Sequence, residues 1–220
     1  MPVYWLSKDD FSFPPAYMAN NDGILALGGD LSVERLLNAY QNGIFPWFNE
    51  DDPIIWWSPD PRFVLFPEKL KVSKSMRQVM RNKDFVITMN RDFKAVITEC
   101  ASVKREGQVS SWITNGMIDA YCDLHKQGFA ISVEVWLNED LVGGFYGVDL
   151  QNGMFCGESM FSKVSNASKA GFISFVQNTD YAIIDCQVYT DHLASLGAEE
   201  ISRAQFMTYL DLQDSRSENE

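Results

Sequence analysis

An acid, a thiol and an amide stand in a row at Asp185-Cys186-Gln187, directly after the apolar residues 181–184. The run reads as a strand entering a core, and each of the three groups is costly to bury without a partner. Alternate side chains on a strand share a face, so Asp185 and Gln187 can lean together while Cys186 faces away. One chemistry open to this stretch is nucleophilic, with a Cys186 thiolate served by His192, five positions past Gln187. Sequence separation alone gives no such geometry, and small cysteines often simply pack in cores. Metal chemistry has little to work with. The two histidines, His125 and His192, form no H-E-x-x-H, and Cys100, Cys122, Cys156 and Cys186 form no C-x-x-C pair. No metal site is expected, and the thiols read as reduced.

These groups sit in an acidic chain. Its 220 residues carry a formal net charge of −12, which argues against non-specific nucleic-acid binding by the protein as a whole. The charge is uneven: residues 1–90 hold nine basic and eleven acidic residues, residues 91–220 nine and nineteen. Residues 69–83, "KLKVSKSMRQVMRNK", hold six basic residues and no acid. The window reads as a helix with Ser73 as N-cap, presenting Lys74, Arg77 and Arg81 on one face and Met76, Val79 and Met80 on the other. A solvated helix face explains the pattern, and so does a local phosphate contact. The apolar runs fall far short of a membrane span, and "MPVYWLSKDDFSF" lacks a signal peptide's basic start and apolar centre, so the expected location is cytoplasmic.

The elements that must position the polar trio follow from periodicity and punctuation. "DGILALGGDLS" supplies Gly-rich turns, and Asp30 or Ser32 can cap a helix over Val33–Gln41 that Gly43 ends. "IFPWFNEDDPIIWWSPDPRFVLFP" holds five prolines, which forbid helix and make a rigid, irregular segment. Trp47, Trp56 and Trp57 on it could fill a core or form a stacking shelf. From residue 84 the chain turns α+β: a strand in "DFVITMN", helices in "DFKAVITECASVK" and "SWITNGMIDAYCDLHKQG", then an antiparallel meander of "AISVEVWL", "LVGGFYGV" and "MFCGESMF". The helix "NASKAGFISFVQ", the strand "YAIIDCQV", the helix "DHLASLG" and the strand "AEEISR" complete it. A boundary is expected near residues 67–85. This gives a small N-terminal α/β domain over 1–75, a larger domain over 76–212 and a disordered tail over 213–220.

Meander, helix, strand, short helix, strand is the order of the acyl-CoA N-acyltransferase superfamily, a fold-level analogy that says little about substrate. Those enzymes hold the CoA pyrophosphate on a Gly-rich loop at a helix N-terminus. The corresponding "MFSKVSNASKAG" has Lys163 and Lys169 but no G-x-G, so CoA is not the expected donor.

"GILALGGDLS", "LLNAYQNGIFPWF", "PIIWWSPDPR", "LVGGFYGV", "FCGESMFS", "NASK" and "IDCQV-x-x-DHLASLGA", in order from about residue 12 to 210, resemble the leucyl/phenylalanyl-tRNA–protein transferases. The resemblance implies a small N-terminal domain joined to an acyltransferase-like domain with a mainly antiparallel sheet flanked by helices. It implies transfer of Leu or Phe, sometimes Met, from aminoacyl-tRNA to a protein whose N-terminus is Arg or Lys, which marks that protein for N-end-rule degradation. It also implies a monomer. The donor ester is already activated for aminolysis, so no cofactor is called for. By matching position, Trp47 and Trp112 flank the terminal adenosine and aminoacyl group. Phe145, Phe155, Met160, Phe175 and Ile184 wall an apolar pocket, although each reads as a core residue when taken alone. Glu158 is the candidate partner for the acceptor's cation. Arg62, Lys69, Lys71, Lys74, Arg77 and Arg81 are expected to meet tRNA phosphates. Asp185 and Gln187 fall on the family's catalytic pair: Asp185 orients Gln187, whose carbonyl oxygen accepts from the attacking amine, or Asp185 is itself the base. A weakly catalytic module for charged tRNA is the alternative, supported by Ile131 standing where the family's A-H-S-V-E run has His.

Overall fold

The computed structural model describes residues 3–103 and 111–217, with side chains through residue 211. In chain order the elements are β1 (Tyr4–Leu6), β2 (Ile24–Gly28), α1 (Val33–Gln41), β3 (Phe45–Pro46), β4 (Ile55–Trp57), β5 (Arg62–Leu65), α2 (Lys74–Asn82) and β6 (Val86–Met89). Then follow α3 (Phe93–Ser102), α4 (Asn115–Lys126), β7 (Ala130–Leu137), β8 (Asp140–Asp149), β9 (Met154–Ser162), α5 (Ala167–Gln177), β10 (Ile183–Gln187), α6 (Asp191–Ala194), β11 (Glu199–Ile201) and α7 (Arg203–Ser217). Caps set the helix starts. The Ser32, Ser73, Asp92, Thr114 and Thr190 side chains each accept a backbone N–H from the first turn of α1, α2, α3, α4 and α6. Thr114 therefore starts α4 later than the helix expected from residue 111.

Two sheets result. A small one runs β1-β2-β4-β3, and a seven-stranded one runs β11-β5-β10-β9-β8-β7-β6. The large sheet is antiparallel except where β10 lies parallel to β9, in keeping with the mainly antiparallel α+β expectation. Strand β5 corrects the boundary expected at residue 75. Val64 pairs with Asp185 on one side and Glu199 on the other, so residues 62–65, expected in the small N-terminal domain, belong to the large sheet. Helix α7 is a second correction. It runs through part of the tail expected to be disordered, because Phe206 and Leu210 anchor it in the core at 1% and 0% exposure.

Strand alternation sorts the core into two layers. Tyr146 and Val148 of β8 face a cluster shared with Leu36 and Tyr40 of α1, Val96 of α3, Tyr121 of α4, Trp56 of the small sheet and Phe206. Phe145 faces the other cluster, with Phe155, Ile184, and Phe172, Ile173 and Phe175 of α5. The small sheet thus shares one core with the large one. Two glycines let α5 lie close on the sheet: a Cβ at Gly143 would come 2.7 Å from the Ala167 Cβ, and one at Gly171 would come 2.7 Å from Val135 Cγ2. Ile131, where the resemblance leads to His, is 8% exposed and packs with Val133 in the second cluster.

Candidate active site

The parallel pairing of β9 with β10 covers Ile183–Met154, Ile184–Phe155 and Asp185–Cys156. The residues that follow on both strands line a cavity of about 470 Å³. Glu158 and Met160 come from β9, Asp185, Cys186 and Gln187 from β10, Phe145 from β8, Phe172 from α5, and His192 and Leu193 from α6. Register shifts mark both rims. On β9, Ser159 and Gly157 face Tyr146 and Gly147, which leaves Glu158 as the extra residue. On β10, the register with β5 shifts between Asp185 and Gln187. Such bulges redirect side chains beside functional sites. Gln187 has φ 63°, a left-handed conformation that strains a residue with a side chain.

The bulge overturns the alternation expected for the trio, since Cys186 lines the cavity together with Asp185 and Gln187. Burial, with Asp185 nearby, pushes the Cys186 thiol well above its ordinary range, so little thiolate is present to act as a nucleophile.

Asp185 is 0% exposed, and its partner is Arg62. The Arg62 Nε donates to Asp185 Oδ1 at 2.8 Å and Nη2 to Oδ2 at 2.6 Å. Nη1 donates to the Gly43 carbonyl at 3.1 Å, and the guanidinium lies 4.8 Å and 4.6 Å from the Phe45 and Phe206 ring centres. Arg62 is 1% exposed, so it is withdrawn from the phosphate-contact set: its donors are spent inside the protein. Asp185 meets Gln187 through the backbone, its Oδ1 accepting from the Gln187 N–H at 2.9 Å. A carboxylate with both oxygens held by one guanidinium edge is poorly placed to take a proton from substrate.

The Gln187 side chain is fixed from β9. Its Nε2 donates to Glu158 Oε1 at 2.7 Å, and that accepting oxygen decides which way round the amide sits. The Gln187 Oε1 keeps its lone pairs free of protein donors among the described residues. Glu158 Oε1 also takes the Tyr40 hydroxyl at 2.7 Å, while Tyr121 Oη lies 3.0 Å from Oε2 and the two phenols bond to each other. Three contacts close this ring, and the two phenols bring only two hydrogens. A protonated Glu158 supplies the third. Burial in fact pushes the Glu158 carboxyl up to about 8, against the lowering effect of its three hydrogen-bond partners. A neutral Glu158 is ill suited to pair with an acceptor's cation, the role expected of it from sequence. It serves instead as a clamp on Gln187.

Of the expected pocket walls, Phe145, Met160 and Ile184 line the cavity. Phe155 and Phe175 stand one layer behind, their rings 6.2 Å and 5.3 Å from that of Phe145. Trp47 and Trp112 are not brought to the cavity: Trp47 is 37% exposed and tilts against Trp57 at 5.6 Å, and Trp112 is 6% exposed in the core. On α2, Lys74, Arg77 and Arg81 are exposed and Met76 is buried, as the pattern predicts. Lys71 is also exposed, whereas Lys69 is paired with Glu199. Lys163 is bound to Glu99 at 2.6 Å and Lys169 Nζ donates to Ser195 Oγ at 3.1 Å, so neither stands ready for a pyrophosphate. Among the described residues no group of three or more His, Cys, Asp or Glu could hold a metal ion. No helix among them is long and apolar enough to cross a membrane.

Sequence reasoning missed Tyr40, Tyr121, Phe172 and the true role of Arg62. Tyr40 and Tyr121 stand on apolar faces of helices 81 residues apart, and no local spacing links them to Glu158. Arg62, beside prolines and aromatics, carried a weak signal: a lone cation entering an apolar run, "RFVLF", asks for a buried acid.

Comparison with known proteins shows the family. A protein named leucyl/phenylalanyl-tRNA–protein transferase from Flavobacterium johnsoniae is 58% identical over 211 residues, covering 94% of this chain and 99% of its own. Similarly named proteins from Flavobacterium psychrophilum and Christiangramia forsetii are 57% and 52% identical, each over 94% of this chain and over 99% and 100% of their own. A solved GCN5-related N-acetyltransferase from Kribbella flavida aligns with 74% of this chain and 58% of its own at 9% identity and a TM-score of 0.38, and the fold assignment rests on the strand order rather than on that likeness. The family model described as leucyl/phenylalanyl-tRNA protein transferase matches residues 64–211, the span that supplies Glu158, Asp185 and Gln187, and the model of its N-terminal domain matches residues 29–60, the span of Tyr40. With the family model matching residues 64–211 and relatives of this name more than 50% identical over 94% of the chain, the chain belongs to the leucyl/phenylalanyl-tRNA protein transferase family.

Proposed function

We propose that the protein moves Leu or Phe, and in some circumstances Met, from aminoacyl-tRNA to the α-amino group of proteins that begin with Arg or Lys. Aminoacyl-tRNA and protein are the substrates named by its relatives. The observation that carries the mechanism is the Gln187 amide, whose Nε2 is committed to Glu158 while its Oε1 meets no protein donor among the described residues. That oxygen accepts a hydrogen bond from the attacking amine and aligns its lone pair with the ester carbonyl, which is catalysis by orientation. An amide is no base. The new C–N bond forms as the C–O bond to the tRNA breaks, and the proton lost by nitrogen ends on the departing ribose oxygen. Phe145, Met160, Phe172, Ile184 and Leu193 offer the apolar wall that a Leu or Phe side chain needs. One misfit methylene there is worth about 1–3 kcal/mol, a basis for rejecting β-branched donors.

The exposed Lys71, Lys74, Arg77 and Arg81 are the proposed phosphate contacts, held on one short basic stretch of an otherwise acidic chain. The acidic surplus of residues 91–220 favours a cationic acceptor N-terminus. Marking of such proteins for N-end-rule degradation, a cytoplasmic location and a monomeric state belong to the same reading. Radiolabelled Leu-tRNA, purified enzyme and model proteins beginning with Arg, Lys or Ala test it. Label in the Arg and Lys proteins alone supports the reading. Retained tRNA without transfer would favour a charged-tRNA binding module, and label in the Ala protein would remove the acceptor rule.

A further inference from the structure

His192 lines the same cavity and takes no part in the clamp just described. Its Nε2 is buried and has no hydrogen-bond partner among the described residues. The backbone around it is held: the Ser195 hydroxyl donates to the His192 carbonyl at 2.6 Å, and Lys169 Nζ donates to that hydroxyl at 3.1 Å. Burial, with the Lys169 cation nearby, lowers the imidazole's pKa from its ordinary value, so the ring stays neutral. A neutral imidazole nitrogen offers one donor or one acceptor, and leaving it unpaired in a buried site is costly.

An aminoacyl-adenosine brings few polar groups to an apolar wall. Once the carboxyl is esterified, the aminoacyl part retains only its α-amino group beside the reacting carbonyl, and the sugar retains a hydroxyl next to the ester. Each must find a partner where Phe172, Ile184 and Leu193 exclude water. Gln187 and Glu158 are engaged at the reacting end of the cavity. His192 and Leu193 both line the cavity, so a buried, unpaired nitrogen belongs to a residue of its wall. We infer that His192 Nε2 hydrogen-bonds the aminoacyl-adenosine end of the donor, at its α-amino group or its neighbouring ribose hydroxyl, and is a donor-binding residue. The inference rests on the transferase reading given above.

The test measures equilibrium binding of the full chain to three donors: Phe-tRNA, 3-phenylpropionyl-tRNA, which lacks the α-amino group, and Phe-tRNA ending in 2′-deoxyadenosine. The parent protein is expected to prefer Phe-tRNA over one altered donor by about 10- to 100-fold, the range for losing the partner of a buried polar group. That donor identifies the group contacted. In His192→Phe the preference disappears, and in His192→Gln, which places an amide near the Nε2 position, most of it returns. Should His192→Phe fail to fold, His192→Leu serves in its place. A preference unchanged in the apolar variant, an equal loss for all three donors, or no preference in the parent would each overturn the assignment. Failure of the parent to bind charged over uncharged tRNA would instead overturn the transferase reading itself.

Discussion

Asp185→Asn separates a structural carboxylate from a catalytic one. Both members of the Arg62–Asp185 pair are buried, at 1% and 0% side-chain exposure, and the guanidinium donates to both carboxylate oxygens. Removing one partner of such a pair strands a buried charge, which costs about 3–5 kcal/mol. For a chain of this size each kcal/mol lowers Tm by about 2–4 °C, so a drop of about 6–20 °C is expected. The amide introduced by Asp185→Asn keeps one oxygen to accept the Gln187 N–H. At a temperature where the variant is still folded, kcat/KM should therefore stay within about tenfold of the parent, the equivalent of one weakened hydrogen bond. The assay pairs thermal unfolding with single-turnover transfer on the same preparations. Arg62→Met should destabilise to a similar degree, and combining it with Asp185→Leu should recover part of the loss, because an apolar pair replaces a buried ionic one. An Asp185→Asn protein with unchanged Tm and transfer slowed about a thousandfold, a loss of about 4 kcal/mol in transition-state stabilisation, would refute this and make Asp185 part of the chemistry.

Four further outcomes follow from the same geometry. Gln187→Ala should lower kcat by about a hundredfold with little change in donor KM, the scale of losing one aligned polar group in the transition state; a pure KM effect would show that Gln187 only binds. Burial holds the Glu158 carboxyl up to about 8 when folded, against about 4.3 in the unfolded chain, so the folded protein keeps a proton that the unfolded one releases and stability falls as pH rises between those values. Glu158→Gln should remove that slope in urea unfolding, gaining on the parent towards pH 8 and matching it near pH 4; a parallel pH dependence would mean Glu158 is ionised in the folded state. Reversing Lys74, Arg77 and Arg81 together should raise the donor KM and flatten its dependence on log[salt] by about 0.7–0.9 for each phosphate no longer neutralised, and equal slopes would leave α2 a solvated face. Cys186→Ser should retain transfer within about twofold, because a thiol kept protonated by burial contributes no nucleophile; loss of all transfer would restore the Cys186–His192 alternative.

The fold was legible where local rules act alone. The span Val33–Gln41 follows from its capping signals and the terminating Gly43, and the three meander strands follow from alternation between turn residues. Where tertiary pairing decides, local rules stop short. Residues 62–65 look like the end of a Pro-rich segment, and only β10 and β11 on either side make them an interior strand of the large sheet. Helix α7 has the same origin, since Phe206 and Leu210 find a core that nothing in "AQFMTYL" announces.

At the site, residue types were legible and partners were not. An acid and an amide at the end of a buried strand do mark the place, yet local rules pair them with each other, and the structure divides them. Asp185 belongs to Arg62, 123 residues away, and the Gln187 side chain belongs to Glu158. What separates them is the left-handed backbone at Gln187, a conformation that costs a residue with a side chain about 1–3 kcal/mol and that Gly would adopt freely. Gly at this position would relax the bulge and take with it the carbonyl oxygen proposed to meet the amine. The strain is tolerable because Asp185 pins the Gln187 N–H and Glu158 pins its Nε2, leaving the side-chain Oε1 without a protein donor among the described residues. A side chain kept where the backbone favours glycine, with its backbone N–H and its Nε2 tied down, keeps one side-chain atom for the proposed contact with the amine.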